Sequence, residues 1–462
     1  MFFGKTQEKQ GLNIIIVGCG KVGSTLVERL SAEGHDITII DEDADRIQEL
    51  ADYYDVLGIV GNGASHSVQE DAGIREADLF IAVTESDELN LLCCTIAKQD
   101  GDCQTIARVR TPDYIKDAAY LQSSLGLAMI INPELEASRE VARLLYLPAA
   151  LSINTFAHGR MELIRIKIAE DNLLCGQTIA KLGQNTDFKI LIAAIERKED
   201  VFIPSGNSQI ENGDVISFLG TRGEAKKFLS YIGFETHQVK NTMIIGGGKA
   251  SFYLASQLLQ MGIDVKIVEK SKKRCEELSI LLPKAMILHG DGTDQELLTE
   301  EGVAHVEAFV PLTGIDEENI MLTLYAILVS DAKVITKINR MAFKDVITKL
   351  DLGSVVYPRY IIAEEIIAYV RARKASMYSN VETLYRILGD RAEAIEFRVN
   401  EKSEVTDIPL MELPLKKNLL VCCITRKGMP IIPTGRDSIQ VGDRVMIVTT
   451  HTGFNDIQDI LV

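Results

Sequence analysis

The sequence lacks long apolar runs, an excess of basic residues and any start that resembles a signal peptide. Its longest apolar stretches, such as 12–17 and 89–97, are far shorter than the roughly 20 residues that a membrane-spanning helix needs. Residues 1–10 are short and mostly polar, so we interpret them as a tail and expect a cytoplasmic protein. The formal net charge of −17 argues against a nucleic-acid partner, because nucleic acids are bound by basic surfaces.

Catalytic and metal-binding constellations are also missing from the sequence. The eight cysteines include no CxxC pair, and the seven histidines are dispersed along the chain. Neither a P-loop lysine motif nor a Tyr-x-x-x-Lys pair occurs. The sequence therefore predicts no metal site and no catalytic residues, and it favours a protein that is not an enzyme.

What the sequence does contain is a duplication. Two glycine loops begin at Gly18 and Gly246, which are 228 positions apart, and each follows a short apolar run. Further along the chain the spacing becomes 229, as for Asn90 and Asn319. One inserted residue in so long a stretch indicates an internal repeat, so each half should fold in the same way.

Each half of the chain divides into two patterns. In the first, short apolar runs alternate with helical segments, which is typical of βαβ units and a parallel sheet covered on both faces. In the second, half-exposed strands are separated by turn signals, which is typical of a small α+β module. The sequence therefore predicts an α/β chain of two Rossmann-like doubly wound parallel sheets (N-lobes), each followed by a small α+β lobe (C-lobe).

The predicted domains are a tail (1–10), N-lobe 1 (11–150), C-lobe 1 (151–237), N-lobe 2 (238–374), and a linker with C-lobe 2 (375–462). The stretch 373–390 has no counterpart in the first half, and we interpret it as a linker.

The first glycine loop meets the conditions of a dinucleotide-binding fingerprint. Gly18 permits a tight turn, Gly20 lets phosphate approach the backbone, and Gly23 lets the helix pack against the strand. The following helix offers unpaired N–H groups to an anion. Asp41 would accept hydrogen bonds from ribose hydroxyls and repel a 2′-phosphate, so NADP is disfavoured. The alternative is a structural turn that binds no ligand.

The second glycine loop departs from this pattern at its third position. Ser251 replaces the glycine and is followed by Phe252, which could crowd a pocket. Glu269 keeps a carboxylate at the ribose position on a longer arm. The sequence therefore leaves open whether this loop binds a nucleotide or is a purely structural repeat.

Later strand ends carry further candidate contacts, since ligands of doubly wound sheets bind at the carboxyl ends of the strands. Thr84 and Thr313 open matching segments, for which capping boxes with Asp87 and Asp316 are the alternative to a ligand contact. Arg108 follows the fifth strand, where a cation could meet phosphate, with a surface ion pair as the alternative.

At these motifs the chain resembles the TrkA family of Trk potassium uptake proteins, whose members carry tandem RCK (regulator of conductance of potassium) units. The resemblance rests on the loop at 18–23, the Thr-Glu-Ser-Asp-Glu-Leu-Asn run at 84–90, and the segment 107–114. It covers nearly the whole chain. It implies a cytosolic gating subunit that sits under a TrkH- or TrkG-type membrane potassium channel subunit. Such a subunit assembles as a dimer or tetramer into an RCK ring and binds NAD(H), with ATP or ADP as further ligands.

The resemblance and the repeat together nominate cofactor-binding residues in both halves. In the first half they are Gly18, Cys19, Gly20, Lys21, Val22, Asp41, Asn62, Gly63, Thr84, Glu85 and Arg108. In the second they are Gly246, Gly247, Gly248, Lys249, Ala250, Glu269, Asp291 and Thr313. Two other functions stay open: an NAD-dependent oxidoreductase, and an RCK-type regulator of a different cation channel or antiporter.

Overall fold

The computed structural model describes residues 11–157, 159–182, 187–198, 200–234, 236–340, 344–347, 349–350, 352–378, 380–388 and 391–462. The chain forms two compact units. The first contains the described residues up to Ser138 together with Ile338–Arg340 and Tyr357–Ile367. The second contains the remainder of the described chain.

The first unit is built on a six-stranded parallel sheet in the order β3-β2-β1-β4-β5-β6. Its strands are β1 (Asn13–Val17), β2 (Asp36–Asp41), β3 (Val56–Val60), β4 (Leu79–Ala82), β5 (Gln104–Arg108) and β6 (Met129–Ile131). Its helices are α1 (Lys21–Ala32), α2 (Ala44–Tyr53), α3 (His66–Asp71), α4 (Asp87–Asp100), α5 (Pro112–Lys116), α6 (Ala118–Leu125) and the start of α7 (Pro133–Tyr146). The central strands β1 and β4 are apolar along nearly their whole length, as strands covered on both faces must be.

The second unit contains a matching parallel sheet in the order β14-β13-β12-β15-β16-β17. Its strands are β12 (Asn241–Ile245), β13 (Asp264–Glu269), β14 (Met286–His289), β15 (Ala308–Pro311), β16 (Lys333–Lys337) and β17 (Ser354–Val356). The helices that follow these strands are α10 (Lys249–Gln260), α11 (Lys272–Leu281), α12 (Gln295–Glu300), α13 (Asp316–Val329), α14 (Lys344–Ile347) and α15 (Pro358–Tyr378). In both sheets the order reverses between the first and fourth strands, and this switch point is where such sheets bind ligands.

Two five-stranded, antiparallel sheets complete the second unit. The first, in the order β10-β9-β11-β8-β7, contains β7 (Ser152–Phe156), β8 (Met161–Lys167), β9 (Leu191–Arg197), β10 (Asp200–Phe202) and β11 (Val215–Gly220), with helices α8 (Ile179–Leu182) and α9 (Arg222–Tyr231). The second, in the order β18-β19-β22-β20-β21, contains β18 (Val381–Ile387), β19 (Ala392–Arg398), β20 (Leu419–Arg426), β21 (Met429–Ile431) and β22 (Arg444–Thr449). Residues of both sheets, including Phe156, Leu219, Cys422 and Val448, share one buried apolar cluster.

The predicted fold class is confirmed: each Rossmann-like parallel sheet is followed along the chain by a small antiparallel sheet. The interpretation of 373–390 as a linker is wrong. The described part of that stretch contains the end of α15 and strand β18, which pairs with β19 as β7 pairs with β8. The domain boundaries themselves stay a prediction. Among the described residues no helix has both the length and the apolar character that crossing a bilayer requires.

Candidate nucleotide-binding sites

The first glycine loop joins β1 to α1 through positions that only glycine fits. Gly18 has φ +101°, and a Cβ there would lie 2.9 Å from the backbone nitrogen of Thr84. A Cβ on Gly23 would lie 1.9 Å from the carbonyl oxygen of Gly18. By contrast, a Cβ on Gly20, the N-cap of α1, would meet no atom within 4 Å. The loop therefore leaves open space beside a helix N-terminus that has no side-chain cap, which is the environment that an anion requires.

Asp41, at the end of β2, holds this loop. Its Oδ2 accepts a hydrogen bond from the backbone N–H of Cys19 at 2.6 Å, and its Oδ1 accepts one from Asp43 at 2.9 Å. Burial, and to a lesser degree the Asp41 carboxylate, raises the pKa of the Cys19 thiol to about 12. Cys19 is therefore a protonated, buried side chain in the turn, which does not favour a redox role.

Asn90 connects the ends of β4 and β5. This fully buried side chain accepts hydrogen bonds from the backbone N–H and the hydroxyl of Thr84, at 2.8 and 2.7 Å. Its amide donates to the carbonyl oxygens of Thr84 (3.1 Å) and Arg108 (2.9 Å). Since Gly18 packs on the backbone of Thr84, this clamp brings Thr84, Arg108 and the glycine loop to the same edge of the sheet.

Arg108 is buried, with 9% of its surface exposed, and its Nε has no hydrogen-bond partner in the described chain. Burial and the neighbouring Arg110 cation lower the pKa of Arg108. The carboxylates of Glu134, Asp87 and Glu85 act in the opposite direction to a smaller degree, and none of them is hydrogen-bonded to Arg108 among the described residues. A buried guanidinium without a hydrogen-bonded counter-ion is costly, so this position is suited to a bound anion. Among the described residues, Arg108 does not form the surface ion pair that was the alternative for it. A phosphate group would therefore fit beside Arg108, because it would supply both the negative charge and the acceptor that Nε lacks.

The remaining residues predicted for the first site have mixed roles. Lys21 and Glu85 are exposed, and Val22 is buried in the first turn of α1. Asn62 is exposed and its Oδ1 accepts a hydrogen bond from Ala64 N–H at 2.8 Å. A Cβ on Gly63 would lie 2.2 Å from Val17 Cγ1, so this glycine is needed for packing whether or not a ligand is present.

The capping boxes considered for Thr84 and Thr313 are wrong. The N-cap of α4 is Ser86, whose hydroxyl accepts from Leu89 N–H at 3.1 Å. The N-cap of α13 is Ile315, which has no side-chain cap.

Two positioning residues were missed as site residues, namely Asp87 and the clamp residue Asn90. The Asp87 carboxylate accepts hydrogen bonds from the backbone N–H groups of Arg110 and Thr111, at 2.9 and 2.8 Å. These bonds fix the turn that follows β5. The signal that points to the clamp is the repeat itself. Asn319 of the second half bonds to Thr313 and to the carbonyl of Lys337 in the same way.

The second glycine loop has the same backbone path but different side chains. Gly246 has φ +94°, and the Ser251 hydroxyl donates to its carbonyl oxygen at 2.5 Å. Glu269 Oε2 accepts from Gly247 N–H at 2.6 Å, as Asp41 does from Cys19. A Cβ on Gly247 would lie 2.9 Å from that same carboxylate oxygen. The longer acid thus occupies the space that the Cys19 side chain fills in the first loop.

Three cations around the second loop, Arg274, Lys337 and Lys270, already have partners within the chain. Arg274 Nε donates to the carbonyl of Gly247 at 2.7 Å, and Lys337 Nζ donates to the carbonyl of Leu312 at 3.0 Å. Lys270 pairs with Asp291 at 2.7 Å and holds the pKa of that carboxyl well below its ordinary value. Of the other predicted residues, Gly248 and Lys249 are exposed and Ala250 is buried. The second site is therefore more fully satisfied without a ligand than the first.

Comparison with known protein families finds two domain types, each matched twice along the chain, as the sheets are repeated in the structure. Residues 14–133 and 242–358 match the TrkA-N domain family, and residues 163–233 and 394–462 match the TrkA-C domain family. These matches cover most of the sequence.

Full-length relatives and solved structures are also similar. The chain is 31% identical over 459 residues to "Trk system potassium uptake protein TrkA homolog 1" of Methanosarcina mazei, covering 97% of this chain and 99% of the relative. It is 30% identical over 439 residues to "Trk system potassium uptake protein TrkA" of Halomonas elongata, covering 94% and 95%. The structure "GsuK channel bound to NAD" shares the fold, with a TM-score of 0.64 at 16% identity, over 96% of this chain and 78% of that one.

Proposed function

The chain belongs to the TrkA family, and from that premise we propose that it is the nucleotide-binding regulatory subunit of a potassium uptake system and not an enzyme. Its curated relatives are named as Trk potassium uptake proteins. The site chemistry supports a sensor, because the predicted site residues provide backbone amides, carboxylates and three cations but no nucleophile beside a general base.

One observation supports nucleotide binding above the others, namely the buried Arg108 whose Nε lacks a partner in the described chain. It lies at the sheet edge that also carries the uncapped start of α1 and the open space at Gly20. A nucleotide would supply a pyrophosphate or triphosphate group. Its negative charge would pair with Arg108, and its oxygens would accept hydrogen bonds from the amides at the start of α1. The α1 amides and Arg108 would hold the phosphates, and Asp41 would orient the ribose.

The carboxylates also favour particular nucleotides. Asp41 and Glu269, each bonded to an amide of its glycine loop, would repel a 2′-phosphate on a nucleotide bound there. We therefore propose NAD(H), with ATP or ADP as further ligands. NAD was bound in the GsuK channel structure, which has the same fold.

Nucleotide binding controls a channel only if one conformation of the assembly binds the nucleotide better than another. Moving a 1:99 equilibrium to 99:1 requires roughly 5.5 kcal/mol of differential affinity. Several sites in one ring would supply this with about 1–2 kcal/mol each. We therefore propose that the chain acts as an oligomer, a dimer or tetramer that forms an RCK ring.

Helix α13 offers a surface for such assembly. Its outer face exposes Met321 (66%), Leu324, Ile327 and Leu328 (82%). At the corresponding positions α4 carries Leu92, Thr95, Lys98 and Gln99. Because the same position in the fold is mostly polar in the first repeat, the apolar face of α13 is not required for folding, and burial against a second copy would explain it.

The membrane partner would be a TrkH- or TrkG-type potassium channel subunit. The net charge of −17 suits a partner whose cytoplasmic loops are rich in Lys and Arg, as those of membrane proteins generally are. The chain would then lie at the inner face of the cell membrane through that partner.

The test is potassium flux in vesicles that contain the membrane protein co-purified with the tagged chain. We expect NADH, ATP or ADP to change the flux, and the Asp41→Ala chain to co-purify normally but to lose nucleotide sensitivity. Glu42→Ala, which changes an exposed neighbouring carboxylate, is the matched control and should behave as the unmodified chain does.

Two results would overturn the proposal. One is flux that no nucleotide changes although calorimetry shows the nucleotide bound. The other is stoichiometric oxidation of NADH by a metabolite, which would identify an oxidoreductase instead.

A further inference from the structure

The second compact unit contains a cavity of about 300 Å³. Its walls come from α7, from the first antiparallel sheet with α9, and from the end of α10. Four cationic side chains line it: Arg139 and Arg143 of α7, and Arg222 and Lys226 of α9. In a chain of net charge −17, such a concentration of positive charge is unusual.

The carboxylates near these cations neutralise them only in part. Glu162, the acidic residue of the lining, is buried and pairs with Arg222, at 3.0 Å from Nε and 2.9 Å from Nη2. Glu140 of α7 interacts electrostatically with Arg143, but burial raises the pKa of Glu140 to about 7, so it is only partly ionised at neutral pH. Lys226 forms no ion pair within the described chain, so these two glutamates leave positive charge on the cavity wall.

The second repeat shows that the fold does not need this charge. At a spacing of 229, Arg222 and Lys226 correspond to His451 and Asn455. Aligned on Pro133 and Pro358, which open α7 and α15, Arg139 and Arg143 correspond to Glu364 and Ala368. The second repeat therefore folds with none of the four cations at the matching positions, and binding of a ligand would explain why they gather in the first.

The rest of the lining indicates what that ligand would be. Tyr146 lies under both α9 cations, with its ring centroid 5.1 Å from Arg222 Cζ and 3.9 Å from Lys226 Nζ. Leu147, Ile153 and Met261 add apolar surface. A cavity of this size is at the lower end of small-molecule sites, which are roughly 300–1,000 Å³.

We propose that this cavity binds a small organic phosphate that carries at least two negative charges and a planar or apolar portion. Arginine and lysine side chains recognise the phosphate, and the tyrosine with its apolar neighbours receives the remainder.

Binding here would also reach the second glycine loop. Gln257 and Met261, at the end of α10, line the cavity, and the same helix starts at Gly248. The 12 residues of α10 span roughly 18 Å as a rigid rod. A ligand that contacts α9 and α10 together would therefore bias the position of that loop.

The test uses pyridoxal 5′-phosphate, a planar phosphate monoester whose aldehyde condenses with a lysine amine, releasing water, to give an imine. Borohydride then reduces the imine to a stable amine, and peptide mapping locates it. With the full chain kept in excess NADH, we expect Lys226 to be labelled at least tenfold faster than Lys227. Lys227 is the more exposed neighbour, 58% exposed and paired with Glu224 at 2.9 Å.

Two variants and two competitors decide the outcome. Arg143→Ala and, as a surface-exposed second variant, Arg139→Ala should each slow labelling of Lys226 several-fold, whereas Lys227→Ala should not. AMP should protect Lys226 better than inorganic pyrophosphate does. Labelling that follows exposure, so that Lys227 reacts faster, would overturn the site. Equal protection by pyrophosphate would overturn the organic portion of the ligand.

Discussion

The two glycine loops of this chain share a backbone path but differ in what their cations do. In the first, Arg108 is buried and its Nε has no hydrogen-bond partner among the described residues. In the second, Lys337 at the matching strand end donates to Leu312, and Arg274 donates to the loop carbonyl of Gly247. This contrast supports the proposal that the first site binds an external anion, since the second site pairs these cations within the chain.

The carboxylates at these two loops show a compensation rather than a loss. Asp41 with Cys19 and Glu269 with Gly247 make the same hydrogen bond at 2.6 Å. From the first loop to the second, the acid gains a methylene (Asp41 to Glu269), and the residue that donates to it loses its side chain (Cys19 to Gly247). The loop geometry has therefore been kept in both repeats, and the difference between the sites lies in the cations. We accordingly expect the first site to bind a nucleotide more tightly than the second.

The largest expected effect is that of Gly23→Ala. Its new Cβ would lie 1.9 Å from the Gly18 carbonyl, so the loop must move and α1 can no longer present its amides in place. Overpacking of this kind costs roughly 1–3 kcal/mol of stability. We expect first-site affinity to fall at least 100-fold, seen by calorimetry as the loss of one bound nucleotide per chain.

Ser251→Ala is the matched control for that change in the second repeat. It keeps the Cβ and removes one hydrogen bond to Gly246, worth about 1 kcal/mol. Nucleotide stoichiometry should be unchanged. If Gly23→Ala also leaves binding intact, the first glycine loop does not hold the ligand.

For Arg108→Gln we expect a smaller loss of nucleotide affinity, together with an unchanged or higher unfolding temperature of the ligand-free chain. Charge-assisted hydrogen bonds are worth about 1.5–3 kcal/mol, so nucleotide affinity should fall roughly 10- to 150-fold. The ligand-free chain, however, should unfold at the same or a higher temperature, because a buried cation without a hydrogen-bonded counter-ion has been removed.

Lys337→Gln tests whether the contrast between the repeats is real. It breaks the hydrogen bond to the carbonyl oxygen of Leu312, so it should lower the unfolding temperature. It should reduce nucleotide affinity less than Arg108→Gln does. Equal affinity losses in the two variants would show that both cations serve the ligand.

Much of this architecture could be predicted from the sequence, because its signals are local. Glycines that need positive φ or close packing, apolar strands and an acid at the next strand end identify each parallel sheet. Strand β18 was missed since it is an edge strand that carries charge. Its Glu382 pairs with Arg444 at 2.5 Å and with Arg398 at 3.5 Å, and these partners are distant in sequence.

The finer features of the sites depend on distances that a sequence does not contain. That Asn90 joins Thr84 to Arg108, or that Gly247 makes room for Glu269, follows only when strand ends are brought together. For the same reason a repeated motif could not show that Arg108 and Lys337 differ in their partners.

The smallest expected effect concerns the outer faces of the matching helices α4 and α13. Leu328→Glu places a charge on the exposed apolar face of α13, whereas Gln99→Glu makes a similar change at the corresponding polar position of α4. Burial of a leucine side chain contributes roughly 1.5–3 kcal/mol, so self-association should weaken by at least tenfold in the first variant and little in the second. Sedimentation velocity over a range of concentrations measures this. An unchanged mass distribution for Leu328→Glu would mean that the copies assemble through another surface, and the apolar face of α13 would then need a different partner.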